Sequence, residues 1–258
     1  MKNTHKLSAA LLVAVAGAAI VVPSATKAEQ SDWKTEGVVE FEKDTSLPTV
    51  KEPDGTTVIP EISVNPGATN ELAIVAATPL DFEKHAILSD GSSEPYNVKP
   101  YGSSVGTYEH FVDFKDVRST TTRQYHIFGK LSKQFTHNDP SATGNATLAG
   151  ATITYSNLRI AGDGRDTTTD LNMPEDSGFV KGKSITLAEG QQELFYSMTN
   201  AARGYGQYKI AFGNRANGED EIRKSVQLAV PGDVVKFKGQ YTAEITWTIA
   251  DTPTPTNP

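Results

Sequence analysis

There is no cysteine anywhere in this 258-residue chain. Disulfide staples, thiolate metal sites, a cysteine nucleophile and lipid attachment through an N-terminal cysteine are thereby excluded. Basic residues are the minority charge, 24 against 31 acids. A surface so poor in positive charge lacks the patches that a phosphate backbone requires, so nucleic acid is not an expected partner. The same deficit argues against simple charge attraction to anionic polymers or lipid headgroups. No glycine-rich loop joins a strand to a helix, which speaks against a nucleotide site, and a serine nucleophile is not expected either. Sustained helical periodicity is missing throughout.

One long hydrophobic run is present, and it is N-terminal. Lys2 and Lys6 precede an uninterrupted small-apolar stretch from Leu7 to Val22, and Pro23 to Ala28 closes it with Thr26 and Ala28 at the −3 and −1 positions of a cleavage site. Sixteen apolar residues fall short of the roughly 20 needed to span a bilayer, so residues 1–28 are expected to be a removable export signal. Its removal takes away three lysines and no acid, which moves the formal charge from −7 to −10 and leaves 230 residues. A chain of that length can bury a core without staples. Export without cysteine suits a bacterium that does not rely on oxidative folding.

Residues 29–70 are expected to be an N-terminal segment and linker. Trp33 to Phe41 has the composition of one short strand, but prolines at 48, 53, 60 and 66 and glycines at 55 and 67 follow. Such a stretch orders poorly or runs extended across a surface. Leu47-Pro48-Thr49 resembles the start of a sortase signal but has no glycine after it, and residues 252–258 are expected to be a disordered tail with no anchor.

Between them, residues 71–251 read as one β domain. Strand candidates are Glu71 to Val75, His110 to Arg118, Arg123 to Phe135, Ala151 to Ile160, Ile185 to Leu187, Leu194 to Met198, Gln207 to Phe212 and Ile222 to Val230. In Ala151 to Ile160 the apolar phase switches from odd to even positions, which predicts a bulge or a corner. The clearest stretch is Val235 to Ile249, whose odd positions Val235, Phe237, Tyr241, Ala243, Ile245, Trp247 and Ile249 form an apolar face, interrupted at Gly239. Around ten short strands with turn punctuation predict an all-β fold, an antiparallel β-sandwich or barrel with Greek-key-like connections.

Catalytic and metal chemistry finds little support. His110, His126 and His137 share one region without zinc-ligand spacing. Asp163-Gly164-Arg165-Asp166 lacks the alternating acids of a helix-flanked calcium loop and reads as a turn. No cofactor and no enzymatic activity are expected. The binding chemistry on offer is aromatic: Tyr96, Tyr101, Tyr108, Tyr205 and Tyr208 are placed in or beside loops, where a phenol can stack on a sugar and hydrogen-bond to it.

Two stretches rhyme. Tyr241 to Pro253 (YTAEITWTIADTP) resembles the distal signature of WxL-domain surface proteins of Gram-positive bacteria, with Trp247 at the tryptophan position and Ile249 in place of leucine. Val112 to Thr136 resembles the proximal block, in which Asp-x-Arg precedes a Trp-x-Leu strand; Asp116 and Arg118 match, while Tyr125 and Ile127 occupy the Trp and Leu places. The resemblance covers roughly 71–251. It implies a secreted protein at the cell wall, bound non-covalently to peptidoglycan. It also implies assembly with a membrane-anchored WxL-interacting protein and with other WxL proteins. A structural or adhesive subunit whose main ligand is a protein or a host glycan is the alternative. Whether Trp247, Ile249, Tyr241, Tyr125 and Ile127 contact ligand or only pack is left open, although the alternation places Trp247 among apolar neighbours.

Overall fold

In the computed structural model the described residues are 33–88, 95–139, 141, 146–164 and 170–251. The expected export signal, the tail 252–258 and part of the 163–166 turn lie outside them. The chain groups into two units, Met1–Glu42 and Lys43–Pro258. In the first, residues 33–42 form no regular element, and Trp33, Val38, Val39 and Phe41 are exposed. The strand expected there lacks a ladder, without which an extended backbone gains no hydrogen bonds from the protein.

The second unit is built from strands. They are β1 (Leu72–Ala77), β2 (Tyr96–Asn97), β3 (Tyr101–Ser103), β4 (Gly106–Tyr108), β5 (His110–Asp116), β6 (Tyr125–His137), β7 (Thr152–Ser156), β8 (Leu158–Ala161), β9 (Ser184–Leu187), β10 (Gln192–Met198), β11 (Gly206–Phe212), β12 (Val226–Ala229) and β13 (Tyr241–Ala250). One short α-helix among the described residues, α1 (Glu219–Ser225), precedes β12. Residues 222–225, expected as strand, are its second half. Glu219, Asp220 and Glu221 occupy the first turn and Arg223 and Lys224 the last; this charge order favours a helix through its dipole.

Three antiparallel sheets form, in the orders β1-β5-β11-β8, β2-β12-β7-β9 and β10-β6-β13, with β3-β4 as a separate hairpin, and none closes into a barrel. Sheet neighbours such as β5 and β11, or β6 and β13, lie far apart in sequence, so the connections cross between layers. The phase change in 151–160 is a corner. Asn157 has a positive φ of 54°, and the chain leaves one sheet as β7 and enters another as β8.

The main core lies between the sheets and contains Phe114, Tyr125, Ile127, Leu131, Tyr155, Phe195, Tyr208 and Phe212. A second apolar cluster sits on the opposite face of the β1-β5-β11-β8 sheet, where Ala73, Val75, Phe111 and Ala211 meet Val50, Ile59, Ile62 and Ala68. The stretch read as linker is therefore packed from Val50 onward. Burying a Val or Ile side chain contributes about 1.5–3 kcal/mol each, which outweighs what its prolines and glycines imply. Both faces of β5 are covered, and every one of its residues is buried.

Candidate functional site

The two motif strands are neighbours. β13 pairs with β6 in antiparallel register, setting Ile249 opposite Ile127, Trp247 opposite Gly129 and Tyr241 opposite His137. The strand starts at Tyr241 and not at Val235. At Gly239 φ is 151°, and a Cβ there would collide with the His137 ring, so the chain turns at 239 and the earlier alternation is not strand.

Tyr125 and Ile127 are completely buried. The Tyr125 ring lies 5.7 Å from Phe114 and 6.4 Å from Tyr196. Burial pushes its phenol well above its ordinary pKa, and its hydroxyl has no hydrogen-bond partner among the described residues. Asp116 is also fully buried. Arg118 meets it bidentately, Nε to Oδ1 at 3.0 Å and Nη2 to Oδ2 at 2.8 Å, and donates to the Gln124 carbonyl at 3.0 Å. That hydrogen bonding holds the guanidinium pKa above its usual value. Arg118 Nη1 also stands 3.6 Å from Asp251 at the end of β13. The Asp-x-Arg pair is thus a clasp joining the end of β5, the start of β6 and the end of β13.

Trp247 is half-buried and has three aromatic neighbours. Phe195 meets it edge-on at 4.7 Å, Tyr155 edge-on at 5.7 Å, and Phe212 is stacked at 6.3 Å. Opposite it, Gly129 leaves room for this cluster, since a Cβ there would stand 2.7 Å from Phe195 and 2.9 Å from Trp247. The indole also borders a cleft of about 420 Å³, shared with Tyr241, Ala243 and Ile245 from β13 and with Thr78, Leu80 and Phe82 across from them. β13 is the end strand of its sheet. Its outward residues Thr242, Glu244, Thr246 and Thr248 are exposed.

The histidines occupy separate places. His110 is buried on β5, where its Nε2 donates to the Lys99 carbonyl at 2.8 Å and its Nδ1 faces the Thr78 hydroxyl at 3.0 Å. Burial lowers its pKa. His126 bonds to the Ser197 hydroxyl, and His137 packs edge-on against Tyr241 at 5.0 Å. Of the loop tyrosines, Tyr108 and Tyr208 are buried, contrary to expectation, because β4 and β11 carry them inward. Tyr96 and Tyr101 are half-buried, and Tyr205 is exposed beneath the Arg123 guanidinium, 4.8 Å away.

Contrary to the expectation that no serine-nucleophile motif is present, one such letter pattern occurs. Gly102-Ser103-Ser104-Val105-Gly106 has the form Gly-x-Ser-x-Gly. It forms the hairpin tip between β3 and β4, and the strand-to-helix turn that exposes a nucleophilic serine is not built there. Signal for the β13 cleft was absent from the sequence, because its far wall comes from residues 77–82.

No curated protein and no solved structure matches the chain. A family match does exist, described as WxL domain surface cell wall-binding, and it runs over residues 28–253. With its two motif strands side by side, this chain belongs to the WxL family of cell-wall-binding surface domains and is located at the cell wall.

Proposed function

We propose that this protein is a non-catalytic peptidoglycan-binding surface subunit that assembles with a membrane-anchored WxL-interacting protein. The observation that carries the reading is the family match together with the half-open face of β13. Trp247, Ile245, Ala243 and Tyr241 hold the strand on the core and also border a cleft. Aromatic and aliphatic walls with a few hydroxyl and amide groups suit sugars or short peptides. The mixed lining, with Thr78, Gln240 and Thr242 among aromatic groups, favours a neutral ligand over a polyanion. Support for a protein partner comes from the other edge of β13, which pairs with no strand among the described residues; an extended segment can add to such an edge.

Purified wall sacculi and detergent-solubilised membranes from the source cell separate the two contacts. Sacculi stripped of protein are expected to retain the protein by themselves. Membranes are expected to retain it through a protein that trypsin destroys. Failure of stripped sacculi to retain the folded protein overturns the peptidoglycan reading and leaves the subunit of a protein assembly.

A further inference from the structure

On the sheet face away from the main core, three charged side chains meet, with Lys51 at their outer edge, its Nζ 3.5 Å from Asp163 Oδ2. Lys209 on β11 stands directly opposite Asp113 on β5 in the antiparallel register. Both side chains are completely buried, with Lys209 Nζ 3.2 Å from Asp113 Oδ2. Asp163 approaches the same Nζ from the end of β8, Oδ1 at 2.8 Å, and its side chain is nearly buried. The Phe111 ring lies 5.7 Å from Nζ. Gln207 Nε2 donates to Asp113 Oδ2 at 3.0 Å, while Asp113 Oδ1 has no hydrogen-bond partner among the described residues.

A buried ion pair of this kind is costly. Removing both charges from water takes several kcal/mol per ion, which their attraction offsets only when every remaining lone pair is satisfied. Here one oxygen is unsatisfied. Burial outweighs the pull of Lys209 and lifts the Asp113 carboxyl to about 7. A carboxyl that readily takes up a proton, beside an amine and a second carboxylate, has the three groups that amide formation needs: electrophile, nucleophile and proton carrier.

We propose that Lys209 and Asp113 condense spontaneously after folding into an intramolecular isopeptide bond that joins β11 to β5, with Asp163 as the proton carrier. The atoms balance without any co-reactant. Asp163 takes one proton from the Lys209 ammonium and passes it to Asp113. The Nζ electron pair then adds to Cγ of the protonated acid, whose Oδ2 is polarised by Gln207. Asp163 relays a second proton from nitrogen to the departing oxygen. The new bond is Nζ–Cγ and the broken one is Cγ–Oδ1. Of the three ammonium hydrogens, one stays on the amide and two leave in a water molecule whose oxygen comes from Asp113. Asp163 ends as it began. Fixed neighbours on paired strands replace a bimolecular encounter, so proximity supplies much of the rate. Exchange of two buried charges for a neutral amide supplies the driving force.

Intact-mass spectrometry of the natively folded full chain, with the N-terminus read from the same spectrum, is the test. The mass is expected to fall short of the sequence mass by one water. Proteolysis is expected to release a branched peptide joining the segments that contain Asp113 and Lys209. Lys209→Arg is expected to show the full mass, and so is Asp163→Asn, which keeps the shape but carries no proton. Asp113→Asn provides a check independent of folding losses in the others: its condensation expels ammonia, so its product has the same mass as the cross-linked parent. A folded parent chain with its water retained overturns the proposal in favour of a plain buried ion pair. A water lost only within a linear peptide, such as one containing Asp163-Gly164, overturns it equally. Cross-linking that persists in Asp163→Asn removes Asp163 from the mechanism.

Discussion

Trp247 has two surfaces, and they do different things. Its ring contacts with Phe195, Tyr155 and Phe212 hold β13 on the core, while the remainder borders the cleft. Because the indole is half-buried, Trp247→Ala is expected to cost toward the lower end of the about 3–5 kcal/mol found for buried aromatics. At roughly 2–4 °C per kcal/mol for a chain this long, the melting temperature should drop by several degrees. Trp247→Phe preserves most of the packing and should keep both stability and sacculus binding. Thermal melts and sacculus sedimentation on the two variants decide the matter: an alanine variant that melts normally and no longer binds would make Trp247 chiefly a ligand contact. At His110 the balance concerns protons. Burial holds the folded imidazole below its unfolded value of 6.5, so the unfolded chain takes up the proton first on acidification. The stabilisation from neutral His110 is thus fully present above about pH 6.5 and is lost as pH falls toward the folded pKa. His126 is shifted the same way by burial. The quantity to read is therefore the difference between parent and His110→Gln in denaturant melts from pH 8 to 5. The parent's advantage should shrink with acid, and a constant difference would refute the assignment.

Among elements, the covering segment departs most from its sequence. Val50, Ile59, Ile62 and Ala68 are buried against one face of the β1-β5-β11-β8 sheet, although only a single bridge, Lys51 to Val58, gives the segment any ladder. Isolated backbone bonds and side-chain contacts hold it: Asp54 N–H donates to the Gly162 carbonyl at 3.1 Å and Asn65 N–H to the Val75 carbonyl at 2.7 Å, while Arg159 reaches from β8 to Asp54 and Arg215 meets Glu52 at 2.7 Å. Ile59→Ala is expected to cost about 2–5 kcal/mol, as much as a substitution inside a regular strand. Limited proteolysis should leave a resistant fragment that still begins upstream of Val50. A stable body that begins near Glu71 would show that the segment is dispensable. The segment's buried residues were hard to see because a chain crossing a sheet face without pairing buries residues at irregular spacing, with neither the period of a strand nor that of a helix.

Across the whole molecule, the net charge of −7 and the mixed lining of the β13 cleft bear on how wall attachment responds to salt. Charge pairing at a surface is screened within about 3 Å at 1 M salt, whereas apolar and hydrogen-bonded contacts in a cleft are not. Attachment to sacculi is expected to persist through a wash at about 1 M sodium chloride. Full release by salt alone would point to an electrostatic mode instead. The covering of one sheet on both faces also explains where the polar residues went. With both faces of the β1-β5-β11-β8 sheet covered, Asp113 and Lys209 are buried along with the apolar side chains, an arrangement that a two-layer sandwich with a wetted outer face would not produce.

From the residues alone came the strand class, the corner at 151–160, the inward face of β13 and the family, because each depends on local alternation or on a contiguous motif. Pairing of the two motif strands was not contained in either stretch. It follows from a register that sets Trp247 against Gly129 and Ile249 against Ile127 across more than a hundred residues of intervening chain. The Asp116–Arg118 clasp, the burial of Tyr108 and Tyr208, the cleft beside β13 and the meeting of Lys209 with Asp113 and Asp163 likewise depend on which strands become neighbours. The short period of a β-strand tells which side chains share a face, but only the folded chain decides what that face meets.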